Sequence, residues 1–171
     1  MTPAFPHLQL EQDGLLELCA RYAAERAPSA KAALAEDICR LATLLGQARE
    51  EIIDPFLVDH LPAPVQHAAW VEMDLARVLV HELSEARPGE LLFDALVAVL
   101  GDLLRRRFEA ERAEWAHLSP SACAEADIRA GHRLRELDQQ SRAAGWSPLP
   151  PCGLETLRNS VPPDATRWSD L

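Results

Sequence analysis

Aromatic residues are scarce in this chain, with one Tyr, four Phe and four Trp making up 5% of 171 residues. Basic residues are outnumbered, 17 Lys and Arg against 27 Asp and Glu, and the formal charge is −10. The shortage of rings, in a sequence rich in Ala and Leu, argues against a sandwich or barrel and for helices. The acidic balance argues against a nucleic-acid partner, since phosphate binding needs a basic face. The run Arg105-Arg106-Arg107 sits in a mixed helical pattern and reads by itself as a partly solvated turn. No apolar run approaches a membrane span. The opening MTPAFPHLQLEQDG lacks the basic start and apolar stretch of a secretion signal, so a cytoplasmic protein with no membrane partner is expected. Cys19, Cys39, Cys123 and Cys152 show neither CxxC nor zinc spacing and read as thiols of a reducing compartment. The seven glycines are scattered, which excludes a Gly-rich phosphate loop, and no nucleophile sits in a strand–turn–helix context.

What is present is 48% apolar residues, enough for one core, arranged largely at helical spacing. A first helix is expected over about residues 8–27, after an extended lead-in holding Pro3 and Pro6. A second is expected over 30–53, capped by Ser29 and ended or kinked by Pro55. A third starts near Pro64, and Arg87-Pro88 breaks it. The fourth, 90–117, carries the stripe Leu92, Leu96, Val99, Leu103, which continues into Arg107 and Glu111. A more polar fifth helix, about 121–144, has Ile128, Leu134 and Leu137 as anchors and Gly145 as its stop. A proline-rich tail follows, with Trp146, Leu149, Leu154 and Trp168 as candidate contacts. Long helices joined by short breaks predict an all-α, up-down four-helix bundle over residues 1–118, an added helix over 119–145 and a tail over 146–171.

Several polar residues fall on the stripes expected to face inward. They are Asp13-Gly14 on the first helix, Gln47 and Glu51 on the second, Glu72-Met73 on the third, and Arg107 and Glu111 on the fourth. That order and spacing resembles the hemerythrin-like, or HHE cation-binding, domain family over about residues 9–118. The family carries Asp-His on helix one, His-xxx-Glu on helices two and four, and Glu-His on helix three. The resemblance implies a bundle whose centre holds two bridged iron ions that bind or react with oxygen. Its ligand positions correspond here to Gly14, Gln47, Glu51, Met73, Arg107 and Glu111, so only the two glutamates keep the ligand type. Imidazole is the main nitrogen donor to iron, and a guanidinium stays protonated and cannot ligate. A di-iron site is therefore not expected.

Two readings of the same residues stay open. Either Arg107 points inward and its planar fork pairs with Glu51 and Glu111 where the metal would sit, or Arg107 and Glu111 form a surface i,i+4 pair. The expected function is that of a non-enzymatic binding or regulatory module without a cofactor, with the fifth helix and tail as a surface for a homodimer or another protein. The alternative is an iron- or manganese-dependent sensor or oxidase with a rebuilt set drawn from Glu51, Glu111, His81 and His117. Glu114 and His117 have the Glu-x-x-His spacing of ferritin-like sites, but no second copy of that motif exists. A third possibility is an apolar pocket in the gap left by Gly14 and Met73.

Overall fold

The structure, a computed structural model, describes residues 4–88 and 90–151. Every regular element among them is helical: α1 (Pro6–Ala24), α2 (Pro28–Ala48), a π-helical turn (Arg49–Ile53), α3 (Asp54–Leu57), α4 (Ala63–Glu85), α5 (Leu91–Trp115) and α6 (Pro120–Ala144). Proline starts most of the long ones. Pro6, Pro28, Pro64 and Pro120 each occupy the first or second helical position, where a fixed φ is pre-set and the missing N–H has no intrahelical role. Ser29, expected as a cap, therefore lies inside α2: Pro28 already begins the helix, with Ala27 before it.

Pro55 does not end the second helix. The backbone winds through it, because the turn just upstream widens and the Asp54 N–H reaches the Arg49 carbonyl five residues back. A proline at 55 removes the donor that would meet the carbonyl four residues earlier, and a π turn is one way a helix absorbs such a defect.

Helix α1 packs against α2, α5 and α6; α2 also packs against α4, and α4 against α5. Thus α1, α2, α4 and α5 touch in a closed ring, and α6 lies along α1, α2 and the π turn. Leu8, Leu15, Ile38, Ile53, Leu100 and Leu104 are buried at the centre. The lead-in is not extended into solvent. Phe5 is fully buried, edge-on to Trp115 (4.9 Å between centroids) and to Phe56 (5.8 Å), an aromatic knot that closes one end of the core.

Two apolar stripes fall on other faces than periodicity suggested. On α5 the buried series is Phe93, Val97, Leu100, Leu104, Arg107, Phe108, Glu111 and Trp115, whereas Leu92 and Val99 are exposed and Leu96 and Leu103 half-buried. Both series are apolar at helical spacing, and Gly101 decides between them. A Cβ there would stand 3.4 Å from the Cys19 Cβ, so α5 turns its small residue to α1. On α6, Ile128 is exposed because the helix docks through Cys123, Ala126, Ala130 and Gly131, whose small size lets the backbones approach; Leu134 and Leu137 complete the face. After Gly145, which turns the chain at φ 81°, Trp146 packs on the core and Leu149 lies beside Gly46. The expected contacts Leu154 and Trp168, and the thiol of Cys152, lie outside the described residues.

Candidate functional site

Helices α1 and α5 and the π turn send polar side chains to one buried point, and α4 adds Glu72 at its edge. Gln12 stands on the α1 stripe Leu8, Gln12, Leu15, Cys19, so the spacing that buries its neighbours buries its amide. Arg49 follows Leu45 and precedes Ile53 at four-residue intervals, and the π turn begins at it. Glu72 comes from α4; Arg107, Glu111 and Glu114 come from α5. Glu111 is the hub, with 0% exposure. Its Oε2 accepts a hydrogen bond of 2.7 Å from Gln12 Nε2. Its Oε1 faces the Arg49 guanidinium and lies 3.4 Å from Arg107 Nε.

Each guanidinium has further anions. Arg49 Nε donates to Asp54 Oδ1 at 2.8 Å. Arg107 Nη1 donates to Glu72 Oε2 at 2.9 Å, and its Nη2 pairs with Glu114. Arg49 and Arg107 are themselves buried, and Glu72 and Glu114 carry the network outward toward solvent. A carboxylate taken fully out of water is stable only when paired and hydrogen-bonded, and Glu111 has two cations and an amide. Beside the network lies a cavity of about 10 Å³, room for about one water, lined by Arg49, Asp54, Gln66 and Trp115. Trp115 Nε1 is buried there with no hydrogen-bond partner.

The residues singled out by spacing are only partly brought together. Arg107 and Glu111 meet at the centre, so they are not a surface pair. Glu51 does not join them. It lies where the π turn packs on α6, and there Arg133 Nε and Nη2 grip it at 2.7 and 3.3 Å and Gln47 donates to it at 2.9 Å. Those contacts, the Arg133 hydrogen bond first, hold the Glu51 carboxyl below its ordinary range. The widened turn puts Arg49, rather than Glu51, toward the core. Asp13 pairs with Arg112 at the surface, and Gly14 faces open space beyond its Cα. Met73 lines a cavity of about 20 Å³ between α2 and α4 with Leu149 at its wall, and Gly14 is not among the residues lining it. His81 and His117 are exposed, and neither meets Glu51 or Glu111. Among the described residues no group of three or more His, Cys, Asp or Glu side chains is arranged to hold a metal ion.

Spacing alone passed over Gln12 and Arg49, although each carried a signal: a polar residue on a stripe whose other members are apolar. Two smaller polar clusters were also missed. Asp127 of α6, buried, accepts hydrogen bonds from the backbone N–H groups of His7 (3.1 Å) and Leu8 (3.2 Å) and meets His7 Nδ1 at 2.5 Å. It thereby caps α1, whose own N-cap residue Phe5 offers no side-chain acceptor. Asp94 of α5 accepts from Tyr22 Oη (2.5 Å) and Lys31 Nζ (2.9 Å), which pull its carboxyl below the usual range, while burial and that same bond push the Tyr22 phenol up. Cys19 and Cys39 are pushed up to about 11 and about 12, chiefly by burial, and so stay protonated thiols at neutral pH. No helix among the described residues is long and apolar enough to cross a membrane. No family model, curated protein or solved structure matches this chain.

Proposed function

We propose that this chain is a non-enzymatic binding or regulatory module built on an up-down four-helix bundle of the hemerythrin-like kind, in which arginine takes the place of the metal. The observation that carries this reading is the hub: a fully buried Glu111 held by Arg49, Arg107 and Gln12. A di-iron centre needs imidazole and carboxylate donors. Here the groups around the fully buried Glu111 are two guanidinium groups and an amide, and a guanidinium has no lone pair to give. The residues present do not fit such a metal pair, and no reaction step is derived through one. Two fixed cations instead supply the positive charge that the glutamate needs, without dependence on metal supply.

The reading excludes an oxidase and leaves recognition to the outer surfaces of the helices. Metal analysis of protein purified without chelators tests it: iron and manganese well below one tenth of an equivalent are expected. One equivalent of either that is lost on Glu111→Gln would overturn it and favour a rebuilt metal site.

A further inference from the structure

We propose that the small cavity beside the hub is a binding site for one water molecule, which joins the Trp115 indole to the carboxylates that hold the arginines. The indole supplies the first observation. Trp115 is 1% exposed, and its Nε1–H meets no acceptor in the protein. Its ring is pinned edge-on against Phe5, itself fully buried, with 4.9 Å between centroids. A buried donor of this kind is costly unless something accepts from it.

The cavity supplies the second. Its volume of about 10 Å³ matches a single small molecule. Its wall holds Trp115 together with Asp54 and Glu114, the carboxylates paired with Arg49 and Arg107. Gln66 lines it too. The Gln66 amide nitrogen is spent on the turn after α3, where it donates to the Leu57 carbonyl at 3.2 Å and the Leu61 carbonyl at 2.5 Å, so its oxygen is the group left for the cavity. These groups select the occupant, which must accept from the indole and donate to carboxylate or amide oxygen. A halide accepts but cannot donate, and it would sit against two carboxylates. An ammonium or metal cation cannot accept from an N–H, and it would meet the Arg49 guanidinium. Water does both, and about three polar partners are the usual complement of a buried water. The site completes the hydrogen bonding where the π turn, α3, α4 and α5 come together. It stands on this local geometry and holds whether or not the bundle is a binding module.

Water–protein NMR on the full chain tests the proposal. In a rotating-frame Overhauser experiment the Trp115 indole proton should show a cross-peak to water opposite in sign to the diagonal, the mark of a bound molecule rather than of proton exchange. Ala69→Val, which adds bulk to the cavity wall at a residue 3% exposed, should abolish that cross-peak with the helical spectrum unchanged. Diffraction from crystals grown in sodium bromide should place a water oxygen about 2.7–3.2 Å from Trp115 Nε1, with no anomalous bromide signal there. If Ala69→Val fails to fold, the wild-type cross-peak and the diffraction decide. No cross-peak in the wild type, meaning a dry cavity, overturns the proposal. So does an exchange peak alone, a bromide at the site, or a cross-peak that Ala69→Val leaves unchanged.

Discussion

Replacing Glu111 by Gln removes one negative charge from a position with no solvent exposure and keeps nearly the same shape. Arg49 retains Asp54, and Arg107 retains Glu72 and Glu114, but both lose the one counter-ion shared at the centre. Breaking a buried ion pair from one side typically costs about 3–5 kcal/mol. The remaining carboxylates soften the loss, so about 3 kcal/mol is expected. A surface i,i+4 pair would lose only a few tenths of a kcal/mol, roughly tenfold less. Measured against a typical total of about 5–15 kcal/mol, this loss is large. For a chain of this length about 3 kcal/mol corresponds to a fall in Tm of roughly 6–12 °C. Urea unfolding followed by circular dichroism at pH 7 measures it directly. Arg49→Met should by itself cost a similar amount, since it leaves Glu111 with one cation. The double variant should cost at least about 1 kcal/mol less than the sum, because each change relieves the charge imbalance left by the other. A Glu111→Gln loss below about 1 kcal/mol, or strict additivity, would refute the hub.

Other consequences can be checked on the same protein. Asp127→Ala removes the acceptor of the His7 and Leu8 N–H groups; it should cost about 1–2 kcal/mol and speed hydrogen exchange at the first turn of α1, and unchanged exchange there would count against the cap. Glu51, Asp94 and Asp138 all have carboxyls held low by their partners, chiefly Arg133, Tyr22 and Arg142 respectively. A lowered folded value means stability that is present above about pH 4 and lost as pH falls through the folded values, so urea midpoints should drop below pH 4, and less steeply in Asp94→Asn. These groups are partly solvated, which keeps each share small. Cys19 and Cys39 should resist iodoacetamide at pH 8 in the native protein and react promptly in urea, with the labelled peptides read by mass spectrometry; fast native labelling would contradict their burial.

Some features were legible in the chain because they depend on neighbours along it. The helix start at Pro64, the turn at Gly145 and the run of long helices are local, and helical spacing exposes them without reference to a partner, whereas the starts at Pro6 and Pro28 were placed about two residues too late. The burial of Arg107 and Glu111 was foreshadowed by their place after an apolar stripe, though the stripe itself lay one residue away from the one chosen. Arg49 was harder to see. It sits in a charged stretch, Arg-Glu-Glu, and nothing in the spacing says that a π turn at Pro55 will send the arginine inward and Glu51 outward.

By itself, then, the sequence determined an all-helical chain and roughly where its helices start, and it left open whether Arg107 and Glu111 are buried or paired at the surface. The tertiary structure alone decided which side of α5 faces the core, that Glu51 serves α6 while Arg49 serves Glu111, and that α6 supplies the cap α1 lacks. The physical reason is that helix formation is settled within a few residues, whereas the pairing of buried charges depends on which groups meet at a few ångströms from distant segments. When two faces of one helix are both apolar, only the shape of the neighbouring helix chooses between them.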